Sequence, residues 1–317
     1  MDLAKTTQKI NKQILRNSDI AARELRANYI KGLDAIRTML RRLYDKYAIG
    51  GELTYAEMSK YNRLRGLEEN IVEILRPMLN KNIRVIDKAA AVSYNEAYYK
   101  HTWAISQAVE ANIAFAVIPK DAVMEAIKNP LEKIAKERLK ADGRRKVRSA
   151  ITQGLIRGES YSGMSKIVKG AINGSFADAE RIVRTEAGRA STLGMLKSYD
   201  NAREEGVELG DVWDATLDSR TRPAHAELDG QRAEMIDGEF KFYSSDVGWI
   251  RGPHLSGVPS FDINCRCALR PVIDGYEPTE RRIRDEGIQP YQTFKTWAEK
   301  SGVKANEYGQ KYDFTKG

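Results

Sequence analysis

The 317 residues hold 52 Lys and Arg against 44 Asp and Glu, a net charge of +8 with a pI near 9.2, and an apolar share of 42%. That length allows two or three domains with their own cores, and a basic surface of mixed sign suits an acidic partner such as nucleic acid, or another protein. No run approaches the ~20 apolar residues that span a bilayer, residues 1–8 have no apolar signal core, and the two cysteines sit too close to bridge without strain; a soluble protein of a reducing compartment is expected.

From about residue 7 to 47, Ile10, Ile14, Ile20, Leu25, Tyr29, Leu33, Ile36, Leu40 and Leu43 recur at mostly helical intervals, which predicts one or two long helices ending before Gly50-Gly51. Thr54 and Glu57 have capping-box spacing for a second helix through Met58, Leu64, Ile71 and Leu75, which Pro77 should end or kink. A third, Ala-rich helix is predicted over 78–115. Its Tyr94, Tyr98, Tyr99 and Trp103 have the spacing of helix packing, with a base-stacking platform as the alternative. Pro119 precedes a short helix that stops near Asn129-Pro130. The next helix, 131–156, carries Lys133, Lys136, Arg138, Lys140, Arg144, Arg145, Lys146 and Arg148, either a solvated face or a phosphate-contacting stripe.

Gly154, Gly158, Gly163, Gly170 and Gly174 read as short turns in a helix-turn-helix-like segment. No Gly-Lys-Ser/Thr follows them, which excludes a nucleotide-binding phosphate loop. A strong helix is predicted from Phe176 to about Gly206. Ala187, Ala190 and Gly on its apolar stripe would let another backbone approach closely. Arg184, Thr185, Glu186 and Arg189 lie about one turn apart, as surface ion pairs or as a buried network.

The chemistry-bearing residues gather in 212–273. Val212 to Thr216 alternates like a strand, Asp218 opens a turn, and Pro223 starts a short helix holding His225. Leu228-Asp229-Gly230 is a second turn, 240–243 a further strand candidate, and 251–259 a loop. Cys265 and Cys267 are expected at the start of a strand running to Ile273, so that both thiols point one way. Joined by His225 they form a ligand set for Zn2+, with Asp262, Asp218 and His254 as candidates for a fourth bond. The alternative is two small buried thiols and a histidine bonded to a neighbour. Asp218, Arg220, Arg222, His225 and Glu227 also make an acid, base and cation group that could cleave a phosphodiester, the runner-up reading of a metal-dependent nuclease or toxin-like enzyme. No catalytic residue is assigned.

The array Trp213-x-Ala215-x-x-Asp218-x-Arg220-Thr221-Arg222-x-x-His225-x-x-Leu228-Asp229-Gly230, followed by Asn264-Cys265-Arg266-Cys267, resembles the phage Mu F-like minor head protein family. Arg184-Thr185-Glu186 and Arg189 look like the helix that leads into that domain. Members of the family vary in having Cys or His where this chain has Arg222, His225 and Asp262, so the resemblance implies metal binding in some and departs here at Arg222 and Asp262. Together with the elements read above, it gives an α+β, mostly α chain: a long-helix N-terminal docking region (1–149), a small Mu F-like domain (150–273), and a tail (274–317) in which 291–300 reads as a short helix with Phe294 and Trp297 as docking side chains. It further implies a minor capsid protein inside the head of a tailed phage or prophage, made in the host cytoplasm and bound at the portal vertex. Its expected partners are the portal protein, a major capsid or scaffolding protein and packaged double-stranded DNA, with roles in head morphogenesis and DNA packaging or delivery and no membrane during assembly. Toxin domains come after the F-like domain in some members; the segment beyond Ile273 is short for one, so the enzyme reading rests on the Asp218/His225 cluster.

Overall fold

Buried side chains at Leu25, Tyr29, Leu33, Ile36, Leu40 and Tyr44 keep one face of the first helix turned inward for five turns. That stripe holds α1, Leu3–Tyr47, as a single helix of 45 residues. Gly32 inside it leaves room for the thioether of Met78. The computed structural model describes residues 2–110, 113, 117–273, 278–283, 286–301, 303–305 and 312–314. They divide into a helical unit, Ser18–Ala89 with Lys128–Arg184, and a mixed unit of Met1–Asn17, Ala90–Ile127 and Thr185–Gly317. The chain is mostly α with small antiparallel sheets.

Thr54 caps α2, Tyr55–Ser59, by accepting the Glu57 N–H at 3.2 Å. The Glu57 carboxylate turns to Lys60 and Arg63 instead of reaching back, so half of the capping box forms. Tyr61 and Asn62 then take left-handed φ angles of 53° and 57°, which break the second predicted helix one turn after it starts. From there α3 runs Arg63–Val109 without stopping at Pro77. A proline inside a helix costs about 3 kcal/mol, and here the buried Ile71, Leu75, Met78 and Leu79 on both sides of it outweigh that loss. Its end falls short of Phe115, and residues 111–112 and 114–116 lie outside the described residues.

After α4, Lys120–Ala126, Asn129 caps α5, Pro130–Ile156, by accepting the Leu131 N–H at 3.0 Å. Of the glycines read as turns, only Gly158 (φ 66°) makes one; α6 spans Tyr161–Glu204 straight through Gly163, Gly170 and Gly174. Glycine in a helix costs about 1 kcal/mol, and the buried Met164, Val168, Ile172, Ala179 and Val183 recover more. Gly154 stays in α5, where Met164 fills the space beside it. The basic face of α5 is partly neutralised: Lys136 sits between Asp87 and Glu132, Lys146 reaches Asp178 at 2.5 Å, and Arg148 meets Glu68 at 2.8 Å.

In the mixed unit, Tyr94 and Tyr98 are buried as helix-packing side chains, while Trp103 is half exposed. The small-residue stripe of α6 acts as its composition suggests. A Cβ on Gly194 would stand 2.3 Å from the Tyr94 carbonyl oxygen, so the two backbones meet there. Gly194→Ala is therefore expected to destabilise by at least about 2 kcal/mol, against a gain of about 0.5–1 kcal/mol for Gly170→Ala, whose Cβ meets nothing within 4 Å. Thermal unfolding of the two variants checks the opposite signs.

Strand β1, Gly210–Asp214, pairs antiparallel with β5, Ala268–Val272, placing Trp213 opposite Leu269. β1 ends sooner than the alternation predicted, because the Ala215 N–H leaves the ladder to donate to Asp229 at 2.7 Å. A second sheet orders β2 (Glu234–Ile236), β3 (Glu239–Ser244) and β4 (Gly248–Ile250), and two further pairs, β6–β7 (Glu280–Ile283 with Gly287–Pro290) and β8–β9 (Val303–Ala305 with Tyr312–Phe314), lie in what the sequence presented as tail. The expected final helix forms as α9, Phe294–Ser301, and buries Phe294 and Trp297 against Leu217 and Ile283.

Candidate metal centre

His225 lies in α7, Pro223–Glu227, whose first turn Pro223 preorganises. Its ring is held edge-on to Trp213 (centroids 6.1 Å apart) and against Phe261 (4.2 Å). Cys265 and Cys267 do not start a strand. They occupy the loop between α8, Pro259–Asp262, and β5, where the Cys265 N–H goes to the Asp262 carbonyl and the Cys267 N–H to the Cys265 sulfur. Backbone donors spent in this way cannot join a ladder. Convergence comes from the loop instead: His225 Nδ1 is 3.5 Å from Cys265 Sγ and 3.4 Å from Cys267 Sγ, and the three ligand atoms lie within 4.8 Å of one another.

The turn that begins at Asp218 sets this loop in place. Asp218 accepts the Arg220 N–H at 2.9 Å, as its position in the turn suggested, and its carboxylate takes a two-pronged hydrogen bond from Arg266, the residue between the cysteines. Thr216 Oγ1 donates to the Arg266 carbonyl at 2.9 Å, and Thr221 donates back to the Thr216 carbonyl. Arg222 reaches across to the carbonyls of Phe261 and Ile263. Asp218, Thr216, Thr221 and Arg222 thus brace the cysteine loop.

The electrostatics of the two thiols diverge. Burial pushes the Cys265 thiol up, but hydrogen bonds with Cys267 and the Arg222 charge outweigh it and leave it below the ordinary thiol value. Burial and the neighbouring Cys265 push Cys267 well above. One sulfur prone to ionise beside a second thiol and an imidazole nitrogen is a donor set that suits a soft divalent cation. A tetrahedral Zn2+ with bonds of about 2.3 Å to sulfur and 2.0 Å to nitrogen requires N···S separations of about 3.5 Å, which His225 already has to both thiols.

Among the described residues no fourth ligand joins them, and the three candidates for it are engaged elsewhere. Asp218 is taken by Arg266. Asp262 accepts from Ser256 and from the Gly257 N–H at 2.9 Å. His254 is buried over Gly188 in α6, with its pKa lowered to about 4 by burial that the Asp262 charge only partly offsets. Asp218 and His225 therefore do not form the acid and base pair of a hydrolytic site: the carboxylate faces guanidinium and the imidazole faces thiols.

Sequence reading missed a second buried network. Arg281 donates to both oxygens of Asp229 at 2.7 Å and pairs with Asp214 at 2.8 Å, while Asp229 also accepts the N–H groups of Ala215 and Phe294. The Leu-Asp-Gly turn was visible in the sequence; its cation, 52 residues away, carried no local signal. Glu186 and Arg189 likewise pair in the interior at 2.8 Å, with Arg189 also bound to the Ile127 carbonyl, whereas Arg184 stays at the surface.

The family model described as Phage Mu protein F like protein matches residues 145–270, which include the braced turn, His225 and both cysteines. The minor head protein GP7 of Bacillus phage SPP1 is 32% identical over 268 residues, covering 83% of this chain and 86% of that protein. The chain belongs to the phage Mu F-like minor head protein family. A relative in Enterococcus faecalis, named NAD(+)–arginine ADP-ribosyltransferase EFV, is 28% identical over 268 residues, again 83% of this chain but 54% of its own length. An uncharacterised protein of Haemophilus influenzae is 29% identical over 133 residues, 42% of this chain and 26% of its own. No solved structure matches significantly. No helix of the described residues is long and apolar enough to cross a membrane.

Proposed function

We propose that this family member is a minor head protein of a tailed phage or prophage, bound at the portal vertex inside the head and acting in head morphogenesis and in DNA packaging or delivery. The observation that carries the reading is the similarity to the SPP1 minor head protein along 86% of that protein's length. In this reading residues 1–149 dock on the portal, capsid or scaffolding protein, 150–273 form the Mu F-like domain, and the protein assembles in the host cytoplasm before residing in the virion. The transferase name belongs to a relative that this chain spans for about half its length, and an alignment of the same length is shared with the head protein, so the common part does not call for that chemistry. A nuclease is disfavoured by the Arg266 brace on Asp218. Fractionation of heads and tails from lysates is expected to recover the chain with heads; recovery with tails alone would reject the assignment.

His225, Cys265 and Cys267 are proposed to hold a structural Zn2+. The ion would tie α7 to the cysteine loop and supply folding energy. Elemental analysis of the purified chain is expected to find about one zinc per molecule, and under about a tenth would end the proposal. Chelator should lower the melting temperature, and Cys265→Ser should remove that sensitivity.

A further inference from the structure

The charge of this protein is unevenly divided. The helical unit holds 28 Lys and Arg against 16 Asp and Glu, an excess of 12, whereas the mixed unit, with the family's marker residues, holds 24 against 28. Within the helical unit, α3 and α5 border an open groove of about 1070 Å³. Arg65, Arg76, Arg144, Arg145 and Arg148 line it. Arg76 and Arg144 have no acidic partner among the described residues, and Arg145 and Arg65 are more than 70% exposed in pairs that solvent weakens. Glu68, Glu69 and Glu73 also border the groove, but Glu68 is bound to Arg148 and Glu69 to Arg65, so the cations prevail. Ser149, Thr152 and Gln153 add neutral hydrogen-bonding groups.

We propose that this groove is where the protein contacts duplex DNA, through the phosphate backbone and without sequence preference. The inference rests on the reading that the chain faces packaged DNA, and it assigns that contact to the helical unit and not to the mixed unit, which holds His225 and both cysteines. Guanidinium forks beside hydroxyls are the usual phosphate-contacting set, and an excess of 12 positive charges on one small unit attracts a polyanion over a Debye length. An acidic helix from another head protein is the competing occupant, since Ile71 and Val72 also border the groove.

The test measures binding of the full chain to a mixed-sequence duplex across a salt series. The groove variant is Arg76→Gln, Arg144→Gln, Arg145→Gln; the control is Arg23→Gln, Lys31→Gln, Lys166→Gln, three exposed cations of the same unit outside the groove. The groove variant should lose more than about tenfold in affinity and flatten the log–log salt slope by about 3, at about 0.9 per phosphate contact, while the control stays within about threefold. Equal losses in both variants would mean a diffuse field and overturn the site. A groove variant that keeps its DNA affinity but drops out of assembled heads would point to an acidic protein partner and also overturn it. Absence of the unaltered chain from heads would instead reject the head reading, whatever the binding result.

Discussion

Replacing Arg281 with methionine is expected to destabilise the mixed unit by about 3–5 kcal/mol, the usual cost of removing one partner of a buried ion pair. The guanidinium is almost wholly buried and holds Asp214 and Asp229, so the variant would strand two carboxylates beneath α9. Asp229 would keep the Ala215 and Phe294 N–H groups, but Asp214, whose pKa burial raises against the pull of Arg281, would lose its cation. Arg281→Lys keeps the charge without the two-pronged geometry and should fall between the two. All four tryptophans lie in the mixed unit, so tryptophan emission during denaturant unfolding reads its stability directly. A loss under about 1 kcal/mol for the methionine variant would refute a structural role for this network.

Acid should open the same unit well before most carboxylates titrate. His101 is buried, with Asn11 at 3.0 Å, and burial lowers its pKa to about 3; His254 is lowered to about 4. Unfolded, both would bind a proton near pH 6.5. Between pH 6.5 and these folded values the unfolded chain carries more protons, so stability rises with pH and is lost as pH falls from 6.5 towards 4 and then 3. Asp211 acts in the opposite sense: burial, only partly relieved by Arg203, raises its pKa to about 6, so it favours folding below about 4 and loses that contribution as pH rises to 6. Asp214, also raised by burial, acts in the same sense as Asp211, but the two histidines carry the larger shifts, and a net loss of a few kcal/mol is expected between pH 6.5 and 4, since each tenfold difference in proton affinity between the folded and unfolded chain is worth about 1.4 kcal/mol. His101→Gln should remove part of that slope. A melting temperature that stays flat from pH 7 to 4.5 would contradict the assignment.

The sequence by itself determined what repeats or stays local. Apolar spacing marked α1 and the part of α6 from Phe176 onward, because a helix buries one face and shows it every third or fourth residue. Thr54, Asp218 and Pro223 announced their turns and caps, since those bonds close within a few residues. The ordered set of Asp218, Arg220, Thr221, His225, Asp229, Cys265, Arg266 and Cys267 pointed to the family, although the cysteines were expected in a strand. Tertiary structure decided the rest. Pro77 and the glycines of α6 are local breakers, and distant packing at Met78, Leu79, Met164 and Val168 overrode them. Cys265 and Cys267 face His225 because Arg266 is held by Asp218, a pairing 48 residues long. The cation of Asp229 waits in β6, and the excess of basic residues in the helical unit emerges only when α1, α3, α5 and α6 are brought together. Such pairings depend on chain segments that fold next to each other, and side-chain spacing along the sequence carries no record of them.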